Sequence, residues 1–180
     1  MQLTTERLIL REFAESDWQA VHEYGADPEV VRFMLWGPNT EEETRAFIAR
    51  AMESARKEPR RDHEMAVTLR QGGRLIGGCG LNLGPPANRA AMIGYCFHRA
   101  YWGHGYATEA ARALVGFGFG TLGLHRIWAT CEPDNAASAH VLEKLGMLRE
   151  GLMRQDGYVR GTWRDSLLYA VLEGEWRAGR

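Results

Sequence analysis

The chain has 180 residues, 45% of them hydrophobic and 25% charged, with a formal net charge of −1. That suits a single domain with a buried core and leaves no strong field to draw it to nucleic acid or an anionic membrane. No apolar run approaches the ~20 residues of a membrane span, and the start MQLTTERLILREF mixes charge with Leu and Ile, unlike a signal peptide.

In chain order, Arg7 to Phe13 (RLILREF) alternates and predicts a first strand. Ser16-x-x-Gln19 reads as a capping box opening a short helix with Trp18, Val21 and Tyr24 that stops at Gly25. Thr40-x-x-Glu43 is a second box, followed by a helix whose Phe47, Ile48, Ala51, Met52 and Ala55 share a face. EMAVTL and RLIGGCGLNL flank Gly72-Gly73 and predict a hairpin, and GPPAN predicts a turn before the strand AMIGYCFH. A helix from about Tyr106 to Gly118 follows, then the strand HRIWATCE. Pro133-Asp134-Asn135 caps a helix ending at Gly146, and two alternating segments, Met147 to Val159 and Thr162 to Leu172, close the chain. This order predicts one α+β domain over residues 1–180, with a mixed sheet and helices. Cys79, Cys96 and Cys131 are odd in number, widely spaced and without CxxC, which points away from a disulfide framework or a metal site and toward the cytoplasm.

The stretch YWGHGYATEA (Tyr101 to Ala110) carries two glycines where a strand passes into a helix. Bare backbone at a helix N-terminus suits an anion, since the amides point outward and the helix dipole favours negative charge. A P-loop needs Gly-Lys-Ser/Thr, and the dinucleotide fingerprint needs glycine where Thr108 stands; neither fits. WGHGYA resembles the acyl-CoA pyrophosphate loop of the GNAT N-acetyltransferases, Q/R-x-x-G-x-G/A, with Gly105 and Ala107 in the last two positions and Trp102 in place of the usual Gln or Arg. It is most similar to the RimJ/RimL-like, ribosomal-protein branch, whose local form YWGKGYATEA differs only at His104. TERLILREF, IGYCFHRAYW, Asn135 to Ser138 with VLEKLGM, EGLMR and WRDSLLYAVLEGEW extend the resemblance in order along nearly the whole chain.

The resemblance implies a mostly antiparallel central sheet of about seven strands flanked by helices, with the fourth and fifth strands splayed around the pantetheine of acetyl-CoA. It implies no metal, and a direct attack of an amine on the thioester. Pyrophosphate is then expected on the amides of Gly103, His104, Gly105, Tyr106, Ala107 and Thr108, and pantetheine along Tyr95, Cys96 and Phe97. Asn135 reads either as a structural N-cap or as a residue facing the pantetheine. The family's thiolate-protonating tyrosine falls at Leu142, so Ser138 is the substitute, its other reading being a small helix-packing residue. The glutamate of the branch's fourth strand is replaced by Met92. Glu132 is carried as the candidate base, with His98 and Asp165 as further polar groups near strand ends. Glu109 reads as structural, Cys131 as an inert buried thiol, and Trp36, Trp163, Arg164 and Tyr169 as possible acceptor-side residues. The expected function is acetyl-CoA-dependent N-acetylation of a primary amine, on a protein or peptide N-terminus or a small molecule, by a cytoplasmic monomer or homodimer. The alternative is a non-catalytic acyl-CoA-binding module of the same fold. Without a glutamate at Met92, an amine of low pKa is the better acceptor: an α-amine near 7.7–8.0 rather than a lysine near 10.4.

Overall fold

Alternating apolar residues let each strand offer one face to a core, and both faces of this sheet are covered. A computed structural model describes residues 1–178. Its elements are β1 (Gln2–Thr4), β2 (Leu8–Arg11), α1 (Trp18–Gly25), α2 (Glu41–Ala55), β3 (Asp62–Leu69), β4 (Leu75–Leu83) and β5 (Ala90–Phe97). There follow α3 (Tyr106–Gly120), β6 (Arg126–Cys131), α4 (Ala136–Lys144), β7 (Leu148–Val159), β8 (Thr162–Leu172) and α5 (Glu173–Ala178). The strands form one sheet in the order β1-β2-β3-β4-β5-β6-β8-β7. Every pairing is antiparallel except β5 with β6. Leu8, Leu10, Met65, Val67, Ile93, Leu114 and Ile127 belong to one buried cluster, with α3 on it. Phe13, Val21, Tyr24, Ile48 and Ala66 form a second, beneath α1 and α2. None of the helices among the described residues is long and apolar enough to cross a membrane.

The sheet has eight strands against the seven expected. The extra one, β1, has three residues and only Leu3 is apolar, too short for alternation to mark; it exists because Leu3 pairs with Leu10 of β2. The Ser16–Gln19 box does not form. Residues Glu15–Asp17 make a 3-10 turn, and the Asp17 carboxylate instead accepts from the Ala14 amide at 2.8 Å and from Arg11. The Thr40–Glu43 box forms as predicted, with reciprocal bonds of 3.2 and 2.8 Å. Gly72 and Gly73 turn the β3–β4 hairpin with φ of +78° and +67°. The short α5 follows the last predicted segment, Thr162 to Leu172, and is an element the sequence pattern did not mark; it seats Trp176 6.1 Å from the Phe119 ring.

One buried group carries a stability prediction. His63 on β3 is 5% exposed, lies 5.5 Å from the Phe117 ring, and neither ring nitrogen has a partner among the described residues. Burial lowers its pKa, Arg60 lowers it further, and Asp62 and Glu12 act the other way. The fold therefore holds His63 neutral, and the unfolded chain binds its proton more readily below about pH 6.5. Stability is lost as pH falls through that value toward the lowered folded pKa. His63→Phe keeps a ring beside Phe117 and removes an unpaired donor, so it should add about 1 kcal/mol at pH 7. It should also soften the loss between pH 7 and 5. Urea melts at the two pH values measure both, and an unchanged pH dependence contradicts the account.

Candidate active site

β5 and β6 pair only at Ala90–Arg126, Ala91–Ile127 and Met92–Trp128. Beyond Met92 they diverge, because each holds to its outer neighbour: β5 to β4 as far as Phe97, and β6 to β8 as far as Cys131. A wedge opens between two strands whose facing edges have no ladder, as the splay implied by the family resemblance requires. The Phe97 carbonyl is not free, since the Trp102 indole donates to it at 2.8 Å.

Tyr95 and Ser138 meet across this wedge. The Tyr95 hydroxyl lies 2.9 Å from Ser138 Oγ and 3.2 Å from the Ser138 carbonyl oxygen. Asn135 Oδ1 accepts from the Ser138 amide at 3.1 Å, which is the N-cap reading of that residue. The cap fixes the first turn of α4, and that turn fixes Ser138. Burial pushes the Tyr95 phenol well up, so it stays protonated and able to donate. Leu142, at the family's tyrosine position, is wholly buried.

The glycine loop closes the other end of the wedge. Gly103 and Gly105 have φ of +77° and +79°, a region other residues enter at a cost, and α3 begins at Tyr106. Among the described residues no acceptor meets the amides of Gly103, His104, Gly105, Tyr106, Ala107 and Thr108. His104 donates from Nδ1 to the Trp102 carbonyl at 2.7 Å and stacks on Tyr106. Arg7, a residue that sequence patterning does not single out, donates to the His104 carbonyl at 3.0 Å and lies 4.6 Å over the Tyr106 ring. Glu109 holds Arg7 there, accepting from Arg7 Nε at 2.6 Å, from the Arg7 amide at 2.9 Å and from Thr5 at 2.6 Å. Partial burial pushes the Glu109 carboxyl up, but the bonds from Thr5 and Arg7 outweigh it and hold it below its ordinary value. Glu109 is therefore structural. The positive end of α3, the open amides and Arg7 converge where an anion would lie.

On the opposite face, a cavity of about 680 Å³ opens between α1, α2 and the sheet. Its wall includes Tyr24, Trp36, Phe47, Met92 and Cys96, and its one strand-borne carboxylate is Glu64 of β3. Glu64 pairs with Gly80, and Gly80 with Gly94. A methyl on Gly80 would come 2.6 Å from the Glu64 carboxyl carbon, so the side chain lies across β4 toward β5. Burial, with Asp62 adding to it, raises the Glu64 pKa against the pull of Arg60. Sequence reading missed Glu64, because its place follows from register across three strands.

The other sequence candidates lie elsewhere. Glu132 does not line this cavity; Arg164 holds its carboxylate at 2.8 Å. His98 caps a 3-10 turn at Ala100, and Asp165 accepts from the Gln155 amide in β7. Tyr169 is buried in the core, and Trp163 packs on Tyr158 at 5.1 Å; neither lines the cavity. Cys96 faces the cavity with its thiol pushed up to about 12 by burial, and Cys131 is raised by burial and Glu143. Neither is a ready thiolate. Among the described residues no cluster of three or more His, Cys, Asp or Glu could hold a metal ion.

A splayed strand pair, an open-amide loop at a helix start and hydroxyls in the wedge are the features that the resemblance to the GNAT acetyltransferases implies. The profile of the acetyltransferase (GNAT) domain matches residues 7–148, and the chain belongs to this family of acyltransferases. The uncharacterized N-acetyltransferase YnaD of Bacillus subtilis is 40% identical over 177 residues, 98% of this chain and 99% of its own length. The crystal structure of a GNAT-family acetyltransferase from Bacillus anthracis superposes with a TM-score of 0.86 at 36% identity, covering 97% of this chain and 99% of that one. The [ribosomal protein uS5]-alanine N-acetyltransferase of Escherichia coli is 33% identical over 91 residues, 51% of this chain and 47% of its own length. The resemblance to the RimJ/RimL-like branch is thereby borne out.

Proposed function

We propose that the chain transfers acetyl from acetyl-CoA directly to a primary amine, with a peptide or protein N-terminal amine as its preferred acceptor. The observation that carries this is the division of the site by β5. The loop amides, the Tyr95 side chain and Ser138 lie toward α3 and α4, while the cavity with Glu64 and Trp36, which Tyr95 also borders, lies toward α1 and α2. In this reading CoA enters from the first side and the amine from the second. The thioester supplies an activated acetyl group. The chain's part is to hold the pyrophosphate on the Gly103–Thr108 amides, to align the two reactants and to hand a proton to the leaving sulfur. Ser138 is the donor, kept in place by Asn135 and Tyr95. A pair of hydroxyls and a carboxylate on opposite sides of one strand favour catalysis over mere CoA binding.

The acceptor preference follows from proton affinity. A raised carboxyl lies nearer in pKa to an α-amine than to a lysine, so transfer to it is less uphill from the former. The uS5 alanine acetylated by the Escherichia coli relative is an acceptor of this kind. The test is competition at pH 7 between a lysine-containing peptide with a free N-terminus and the same peptide with its N-terminus blocked. Mass spectrometry should find the acetyl group on the N-terminus of the first and little on the second. Equal acetylation of the blocked peptide would overturn the preference.

A further inference from the structure

We propose that Glu64, reaching across β4 from β3, is the catalytic base that receives the proton of the acceptor amine. The inference rests on the acetyltransferase reading above and names the carboxyl to which that reading passes the amine's proton. β5 itself offers none: Met92 occupies the position of the branch's glutamate, and it is 37% exposed toward the cavity. Two glycines make the reach possible. Gly80 leaves the space in which the Glu64 carboxyl lies, and a Cβ on Gly94 would meet nothing within 4 Å. The carboxylate thus stands over β4, one interstrand spacing of about 4.8 Å from the β5 backbone. That backbone at Gly94 borders Tyr95, whose hydroxyl holds Ser138 on the other face. Base and acid are therefore separated by the strand along which the thioester would lie.

No side chain among the described residues hydrogen-bonds Glu64, although it lines the cavity. Of the ionisable groups around it, Asp62 and Arg60 lie on or next to its own strand, and Tyr24 faces it from α1. Glu43 and Arg50 look into the same cavity from α2, Cys79 from β4 and Cys96 from β5. Glu43 is engaged with the Thr40 amide, and the thiols of Cys79 and Cys96 are held neutral by burial. Glu64 is thus the unengaged carboxylate of the cavity wall. In the step proposed, the amine nitrogen forms a bond to the carbonyl carbon and the carbon–sulfur bond breaks. The amine's proton passes to Glu64, the sulfur leaves with the proton of Ser138, and solvent water carries the proton from Glu64 back to Ser138.

The test is the pH dependence of kcat/KM for a peptide with a free N-terminus, in wild type, Glu64→Gln and Gly80→Ala, with CoA affinity measured alongside by calorimetry. Glu64→Gln is nearly isosteric and should fold. It should lower kcat/KM about 100-fold at pH 7, and the defect should shrink as pH passes the amine's own pKa of about 7.7–8.0. CoA affinity should not move. Gly80→Ala pushes the carboxyl aside without removing it, so it should cut the rate in the same direction and cost little more when added to Glu64→Gln. A Glu64→Gln enzyme with the wild-type rate and pH profile overturns the assignment while leaving the acetyltransferase intact. A wild-type protein that binds CoA yet acetylates neither this peptide nor a panel of small primary amines overturns both.

Discussion

Ser138→Ala should lower kcat about 100-fold with CoA affinity unchanged, the size expected when a positioned proton donor is lost. The geometry gives the reason. Ser138 sits in the first turn of α4, its amide bonded to Asn135 and its hydroxyl 2.9 Å from that of Tyr95. A leaving thiolate needs a proton, and an isolated serine is a poor acid. The Tyr95 hydroxyl, kept protonated by burial, hydrogen-bonds Ser138 Oγ and steadies that oxygen while the serine proton passes to sulfur, the serine regaining a proton from water. Tyr95→Phe should therefore lower kcat about 10-fold, and the double variant should be little slower than Ser138→Ala alone, because the two hydroxyls act as one unit. Steady-state kinetics with calorimetric CoA affinities measure this cycle. Full activity in Ser138→Ala would return the residue to helix packing, and additive losses would separate Tyr95 from the serine.

What the sequence disclosed was local. The turn from strand to helix at WGHGYA, the Thr40–Glu43 box and the Asn135 cap all involve residues within a few positions of each other, and each forms as read. The splay followed from family resemblance, and the strands diverge after Met92. What stayed hidden depends on distant partners. Arg7 reaches the glycine loop only because Glu109, 102 residues later, holds it. Glu64 looks like one charge in an otherwise apolar strand until register sets it beside Gly80 and Gly94. The expectation of a missing base came from searching one strand; the carboxylate of the cavity comes from another. Glu132 shows the converse: its position at a strand end gives no sign that Arg164, 32 residues on, holds its carboxylate.

The claim beneath all of this is that CoA lies with its pyrophosphate on the glycine loop, and Gly105 is where that claim is most exposed. Gly105 caps α3 at φ +79°, and a Cβ there would point toward Arg7 Nη2, 3.6 Å away, between the guanidinium and the open amides. Valine adds a branched group to that path and strain to the left-handed backbone, so it should both block the anion and turn the amides away. The loop lies on the surface, and the core beneath α3 does not depend on it. Calorimetry with CoA on wild type and Gly105→Val, each checked for a cooperative thermal melt, is the most direct measurement. The account predicts tight binding by wild type and an affinity about 100-fold weaker in the folded variant, roughly 2.7 kcal/mol. A folded Gly105→Val protein that binds CoA as tightly as wild type would contradict it.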